Sequence, residues 1–473
     1  MKGILAVLFG AMTMVFSEAA QPKGAEADDV QFHKTITLQE SEKIALEKHP
    51  ALRIAHLESD LASFKKNEAL RSLWPNLTLK GEETEGKAIR ELGTPGFNEK
   101  SYSAQISQPL FQGGRLFRIY RQTLANLNLA REKYAKVQQE TLYSARETFW
   151  RLVGASNLIG VYSNALSYLE KEKSDAEQLL KKDVITQQTY LIINSQYQQM
   201  ASQFESAKAE EESRLWQWTS SLGLKTPPDY HPVPSTASLI VPQISLQECL
   251  SLALTHHPDI LIQKHTTEAA LLGLKALSSY VWPQLDFNAS YGQGGGAFKG
   301  ETLNLREDWQ LGLKLSRSFS ANSLNFSGFK QKTSPKLGQS SRTEIETVSV
   351  SLGVLDGLKQ RGERKEADLV YAQSQVQMDK TTLEVQNGVR DAYAGWKKAI
   401  AQVLIAQNDL DLARTEFAIS EIKVAHQNAS FQEKAISRNK LAQAEAALIE
   451  AETAYRVAIA ALNRALGHPN KFA

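Results

Sequence analysis

One pattern is written twice in this chain, and any fold assigned to it must accommodate both copies. Leu38-Gln39-Glu40, Ala45-Leu46, His49-Pro50 and Trp74-Pro75 return as Leu246-Gln247-Glu248, Ala253-Leu254, His257-Pro258 and Trp282-Pro283, each displaced by 208 residues. Further on the displacement is 244: Gly113 matches Gly357, Arg146 matches Arg390, and Leu222-Gly223 matches Leu466-Gly467. Self-similarity on this scale means two equivalent units of one architecture. The units cover residues 38–223 and 246–467, and the step from 208 to 244 places a 36-residue insertion between Trp282 and Gly357. The joining segment, 224–245, holds five of the 14 prolines. That density excludes a helix or a central strand and predicts a surface strap.

Within each unit the helical pattern dominates. Residues 115–180 contain no proline and only two glycines, Gly154 and Gly160, which predicts a helical rod about 99 Å long. Residues 359–424 match it in the second unit. The first unit also has two shorter helical patterns, 39–73 and 187–222, of 35 and 36 residues. Together they nearly equal the long one, so two short helices stacked end to end would run beside one long helix in a bundle of constant height. In the last helix Ala447, Ala451, Ala454, Ala458, Ala461 and Ala465 recur at alternating spacings of 4 and 3, a heptad seam that predicts close left-handed packing. Its first-unit counterpart is bulkier: Ile193, Tyr197, Met200, Phe204 and Ala207.

Between short and long helices the period changes to two. Leu285, Phe287, Ala289 and Tyr291 alternate with small polar residues, as do Trp309, Leu311, Leu313 and Leu315, and Val348, Val350, Leu352 and Val354. Tyr102, Ala104 and Ile106 do the same in the first unit, partnered by a weaker strand at 77–83. Leu324 and Phe326 lie in the insertion and suggest one more strand. Alternation with polar partners that are mostly small or uncharged fits transmembrane barrel strands, and a soluble sheet with one wet face gives the same pattern.

Composition narrows the functional classes. A net charge of +2 advertises no surface for nucleic acid, and 42% apolar residues argue for an ordered chain. Residues 1–19 read as an export signal: Lys2, an apolar core from Ile4 to Phe16, and the small-x-small site Ser17-Glu18-Ala19. The single cysteine, Cys249, has no partner for an internal disulfide, and no later stretch reaches 18 apolar residues. An exported chain of this kind is either soluble or crosses a membrane as a β-barrel. Catalysis finds no support. Gly292-Gln293-Gly294-Gly295-Gly296 lacks the lysine of a phosphate loop and reads as a hairpin loop. His256, His257 and His265 have no zinc-site spacing, and His49 and His257 belong to the helix architecture as repeat equivalents. Charged runs such as 171–175 and 361–366 read as solvated helix faces. The expectation is a protein that is not an enzyme and holds no metal or cofactor.

The duplicated Leu-Gln-Glu, Ala-Leu, His-Pro opening, the Trp-Pro ending before a strand and the turns Pro109-Leu110-Phe111-Gln112-Gly113-Gly114-Arg115 and Leu355-Asp356-Gly357 resemble the outer-membrane efflux protein (TolC) family. The alanine-rich final helix ending at Leu466-Gly467 fits as well, so the resemblance spans roughly residues 37–467. It implies a mainly α fold with β: an internally duplicated long-helix bundle, or α-barrel, plus membrane β-barrel strands closed by trimerisation, each protomer giving four strands. It implies a homotrimer in the outer membrane of a Gram-negative cell, in contact with outer-membrane lipid and reaching into the periplasm. Such a trimer is the exit duct of a tripartite efflux or type I secretion system, working with a periplasmic adaptor (membrane fusion) protein and an inner-membrane transporter.

The resemblance also implies where the duct opens. Adaptor-docking tips fall at Asp183-Val184-Ile185-Thr186 and Asn428-Ala429-Ser430-Phe431, where the family usually has a glycine and this chain has Asp183 and Asn428, residues that tolerate left-handed backbone. An acidic pore constriction falls at Glu433, three copies of which would form a ring. The insertion departs from the family, either as a hairpin giving six strands per protomer or as a surface excursion. A soluble periplasmic coiled-coil protein, structural or adaptor-like, is the alternative.

Overall fold

The computed structural model describes residues 35–87, 96–228, 231–232, 243–319, 321–334, 341–425, 431–468 and 471. The export-signal segment 1–19, part of the strap 224–245, and Asn428, Ala429 and Ser430 lie outside the described residues.

Each unit opens with a capping box. Thr37 N–H donates to Glu40 Oε2 (2.8 Å) while Glu40 N–H donates to Thr37 Oγ1 (3.3 Å). Ser245 and Glu248 repeat the exchange at 2.9 and 3.2 Å. The duplicated Glu of Leu-Gln-Glu is therefore a helix-start residue that satisfies donors the helix leaves orphaned. Helices α1 (Leu38–Lys48) and α2 (Pro50–Arg71) follow, and α5 (Leu246–His256) and α6 (Pro258–Leu277) match them in the second unit. The sequence pattern predicts one continuous helix over 39–73, and here the structure differs. Proline disfavours helical backbone in the residue before it, so His49 and His257 stand extended, at ψ 123° and 126°. Each histidine then caps the next helix: Nδ1 accepts from Ala51 N–H (3.3 Å) and from Asp259 N–H (3.2 Å). Burial holds the His257 imidazole below its ordinary pKa against the opposing pull of Asp259, which favours the neutral ring that can accept at Nδ1.

The other duplicated pair closes onto this break. Helix α4 (Gln187–Ser221) and the last helix, α8 (Phe431–Ala465), end in left-handed glycines, Gly223 at φ +73° and Gly467 at φ +72°. Leu224 N–H reaches back to Thr219 O (3.1 Å) and His468 N–H to Asn463 O (3.1 Å), the six-to-one bond of a Schellman cap. A Cβ on Gly223 would stand 2.9 Å from His49 Cα, and one on Gly467 would stand 2.8 Å from His257 Cα. The Leu-Gly and His-Pro motifs, far apart in sequence, therefore touch in both units. The contact seats the lower short helix end to end under the upper one. Beside them run the long helices α3 (Arg115–Lys181, 67 residues) and α7 (Leu358–Ala425, 68 residues), each about 100 Å long. Helices α2 and α4 both pack on α3, and α6 and α8 both pack on α7, while α6 and α8 also touch α3 and join the two units.

The alanine seam of α8 is only partly where the heptad reading puts it. Ala451, Ala458 and Ala465 pack against a core of Cys249, Val389, Trp396 and Leu462, but Ala447 and Ala454 are exposed. The buried line is Leu441, Tyr455 and Leu462 with half-buried Leu448, because α8 is wedged between α3 and α7 and buries two flanks rather than one.

All six long strands form one antiparallel meander in chain order: β1 (Asn76–Lys87), β2 (Gly96–Phe111), β3 (Gln284–Phe298), β4 (Arg306–Phe319), β5 (Asn322–Thr333) and β6 (Thr343–Gly353). The two units meet at the β2–β3 pair, where Ile106 faces Ala289. Gly292–Gly296, expected as a hairpin loop, instead continues strand β3, paired throughout with β2 and as far as Gly294 with β4. A Cβ on Gly292 would collide with the Tyr102 carbonyl, so these glycines permit close strand approach rather than a turn.

Gly467→Ala forces a left-handed alanine into the α8 cap and should cost about 1–2 kcal/mol, lowering the thermal midpoint in detergent. Gly160→Ala, mid-helix in α3 with nothing within 4 Å of the added carbon, should raise it by an amount equivalent to about 0.5–1 kcal/mol. Equal effects of the two substitutions would contradict the role assigned to the cap.

Candidate functional site

At the end of the bundle away from the sheet, α3 turns into α4. Asp183 adopts φ +56°, and Val184 N–H reaches Leu179 O (2.9 Å) while Asp183 N–H reaches Leu180 O (3.0 Å). This is a Schellman turn with aspartate where glycine is usual. Thr186 caps α4, its Oγ1 accepting from Thr189 N–H at 3.2 Å. Val184 points to solvent, 63% exposed. Ile185 turns inward onto a core of Ala165, Leu169, Ile193, Met200, Ala435 and Ala442, and Phe431, the first residue of α8, packs on the same core. Ile185 from one turn and Phe431 from the other are thus anchored on one cluster that includes side chains from α3, α4 and α8.

Just behind the turns lies a polar lock that the sequence reading missed. Lys434 Nζ bonds Glu172 Oε1 at 2.7 Å, with the two side chains 18% and 9% exposed. Lys434 also stands 5.3 Å from the centre of the Tyr168 ring, and Arg438 lies 5.7 Å from both the Tyr168 and Phe417 rings. Tyr168 and Phe417 meet edge-to-face at 5.6 Å, and Ser420 Oγ pairs with Ser437 Oγ at 2.7 Å. Tyr168 and Glu172 belong to α3, Phe417 and Ser420 to α7, and the rest to α8, so the lock ties three helices. Burial pulls the Lys434 ammonium down, but its hydrogen bonds to Glu172 and Tyr168 outweigh burial and hold it above its ordinary pKa. Glu172 therefore corrects the solvated-face reading of residues 171–175. The available signal was the spacing: Ala165, Leu169, Glu172 and Ala176 step by 4, 3 and 4 along one buried seam. Glu433, one residue before Lys434, is exposed in the first turn of α8, where the helix dipole favours an acid.

At the opposite end the sheet has two chemically distinct faces. On one face Leu79, Ile106, Phe287, Leu313, Phe326 and Val350 belong to a band crossing all six strands, and most of its large side chains are bare, Val350 at 65%. The other face carries Thr78, Gln105, Ser290, Gln310, Gln331 and Ser349 among its alternates. A soluble sheet buries its apolar face under helices; here, among the described residues, none of the long helices packs against the six strands, which is the pattern of strands facing lipid outward and water inward. No helix among the described residues is long and apolar enough to cross a membrane.

Sequence comparison matches residues 43–191 and 249–468 to the outer membrane efflux protein family. The chain belongs to that family. It is an outer-membrane protein reaching into the periplasm, in a family of channels rather than enzymes, which sets aside the soluble coiled-coil alternative. Its fold is shared with the Campylobacter jejuni CmeC outer membrane channel, at a TM-score of 0.73 and 14% identity over 91% of this chain and 85% of that one. VceC of Vibrio cholerae matches at 0.70 and 14% over 91% and 96%, and the open state of the Neisseria gonorrhoeae MtrE channel at 0.70 and 14% over 91% and 89%. Comparison with curated protein sequences returns no match.

Glu172→Gln leaves Lys434 without its anionic partner and should destabilise the fold by about 2 kcal/mol. Because the folded pKa of Lys434 is raised, its contribution is fully present below the unfolded value of about 10.4 and is lost as pH climbs through the higher folded value. Thermal midpoints measured from pH 9 to 12 should fall more steeply for the native chain than for a Glu172→Gln, Lys434→Met double variant. Parallel profiles would contradict the lock.

Proposed function

We propose that three copies of this chain close side by side into one duct, the outer-membrane exit of a tripartite efflux system, opened at its periplasmic tips by an adaptor protein. The observation that carries this reading is the pair of uncovered flanks. In one direction the protomer ends at α7, whose bare heptad lines are Leu369, Val376 and Leu383, then Ile405, Leu412 and Ile419. In the other direction it ends at α2, bare at Ile54, Leu57, Leu61 and Phe64. Inside the protomer, the second unit's short helix α6 packs on the first unit's long helix α3. Placing α2 of a neighbour on α7 repeats that joint with equivalent elements, so two units per protomer make six around a threefold axis. The sheet supports the same closure, because among the described residues its outer strands β1 and β6 each lack a partner on one side, and an open edge in lipid is intolerable.

In this reading Asp183, Val184, Ile185 and Thr186, with Asn428, Ala429, Ser430 and Phe431, form the rim that meets the adaptor. The exposed Val184 is a contact, while Ile185 and Phe431 hold the rim to the bundle. The lock at Glu172 and Lys434 resists spreading of α3, α7 and α8. Three Glu433 carboxylates narrow the pore and favour cations. The export signal delivers the chain to the periplasm, and an inner-membrane transporter supplies the energy.

The native protein extracted from outer membranes should run as a detergent-stable trimer, and Leu61→Asp with Phe64→Asp should yield monomers with unchanged helical content by circular dichroism. A native chain that stays monomeric would end the duct reading. In planar bilayers Glu433→Ala should lower the cation-to-anion permeability ratio several-fold, and an unchanged ratio would discard the ring.

A further inference from the structure

The 36-residue insertion is built into the sheet. Strands β4 and β5, the pair without a first-unit counterpart, have 14 and 12 residues, long enough to cross a bilayer when tilted. They pair in unbroken register with β3 on one side and β6 on the other. Leu311, Leu313, Leu315, Leu324 and Phe326 continue the apolar band of β3 and β6, while Gln310, Ser316, Asn325 and Ser327 continue the polar face. At the upper edge of the band Tyr291 faces Trp309, Trp309 faces Lys332, and Lys330 pairs with Glu344 at 3.0 Å, so aromatic and charged side chains together bound it as at a membrane surface.

The turn between β4 and β5 is fastened to the sheet–helix junction. Gly357 N–H donates to Ala321 O (2.8 Å), Leu355 N–H to Asn322 Oδ1 (3.0 Å), and Arg317 Nε to Val281 O (3.3 Å). At Gly113 the space a Cβ would need is filled by Trp282; at the equivalent Gly357 it is filled by Ala321 of the inserted turn. A surface excursion would have neither this register nor this anchor.

We infer that the trimer closes a barrel of eighteen strands, with β6 of one copy paired to β1 of the next, and that its outer-membrane exit is as wide as the helical cylinder beneath it; this rests on the duct reading above. Six strands about 4.8 Å apart and tilted about 40° occupy about 38 Å of circumference. Four helices side by side, about 9–10 Å apart, occupy about 36–40 Å. Sheet and helix strip therefore subtend the same arc, and three copies give a backbone diameter of about 36 Å at both levels. Four strands would occupy only about 25 Å at the same tilt. A barrel of this strand number leaves an aqueous channel, so cargo size is limited at the periplasmic tips and not at the exit.

Spin labels on the full chain reconstituted into lipid vesicles test this without requiring open tips. Labels at Leu313→Cys and Phe326→Cys should be relaxed mainly by molecular oxygen, and labels at Gln310→Cys and Ser327→Cys mainly by an aqueous nickel chelate. Electron cryomicroscopy of the same trimers should show eighteen strands. Nickel relaxation at all four positions in a vesicle-inserted trimer, or a twelve-strand barrel, would overturn the inference and leave the duct intact. Failure of the native chain to insert or to trimerise would overturn both.

Discussion

Everything else in this molecule is arranged around the contact of a helix end with a helix break. Gly223 lies against His49, and Gly467 against His257. Without that contact, α1–α2 and α4 would be separate helices on the flank of α3. With it, α4 and α2 act as one interrupted element of 35 and 22 residues running along most of the 67-residue helix beside it. The strip of helices therefore packs along most of its length rather than fraying at one end. The two residues that make the contact possible are there for backbone reasons: proline forces the break, and glycine accepts the left-handed turn at the point of closest approach.

Much of this architecture was legible in the chain because it is repeated. The long helices and the strands β1, β2, β3 and β6 follow from local rules applied twice, and alternation alone marks β4 and β5. The misreadings came from effects that local patterns do not carry. A helix expected over 39–73 is broken because His49 precedes a proline, a signal present in the sequence but overridden there by the apolar period. The glycines at 292–296 look like a loop because their propensity is for turns; pairing with β2 throughout, and with β4 up to Gly294, makes them strand. The alanine seam of α8 shifts because that helix is flanked by two partners, which no single period describes.

The turn at Asp183 was legible in the sequence, and the chemistry behind it was not. Asp183 was expected to tolerate left-handed backbone, and it sits at φ +56°. The lock behind it was hidden because Glu172 stands in a charged run, and only its 4-3-4 spacing with Ala165, Leu169 and Ala176 marks it as inward-facing. A buried ion pair of this type adds little stability over an apolar pair of the same shape. What it adds is a defined arrangement of three helices that an apolar contact would leave freer to slide.

The insertion has one consequence for symmetry. In the proposed trimer, duplication makes the helical part nearly sixfold, because α6 and α7 repeat α2 and α3 around the axis. The added strands fall in only one unit of each pair, so two strands alternate with four around the barrel. In that trimer a partner approaching from the periplasm would meet six similar positions, while anything approaching from outside the cell would meet three. The two ends of one duct would therefore be read with different stoichiometries.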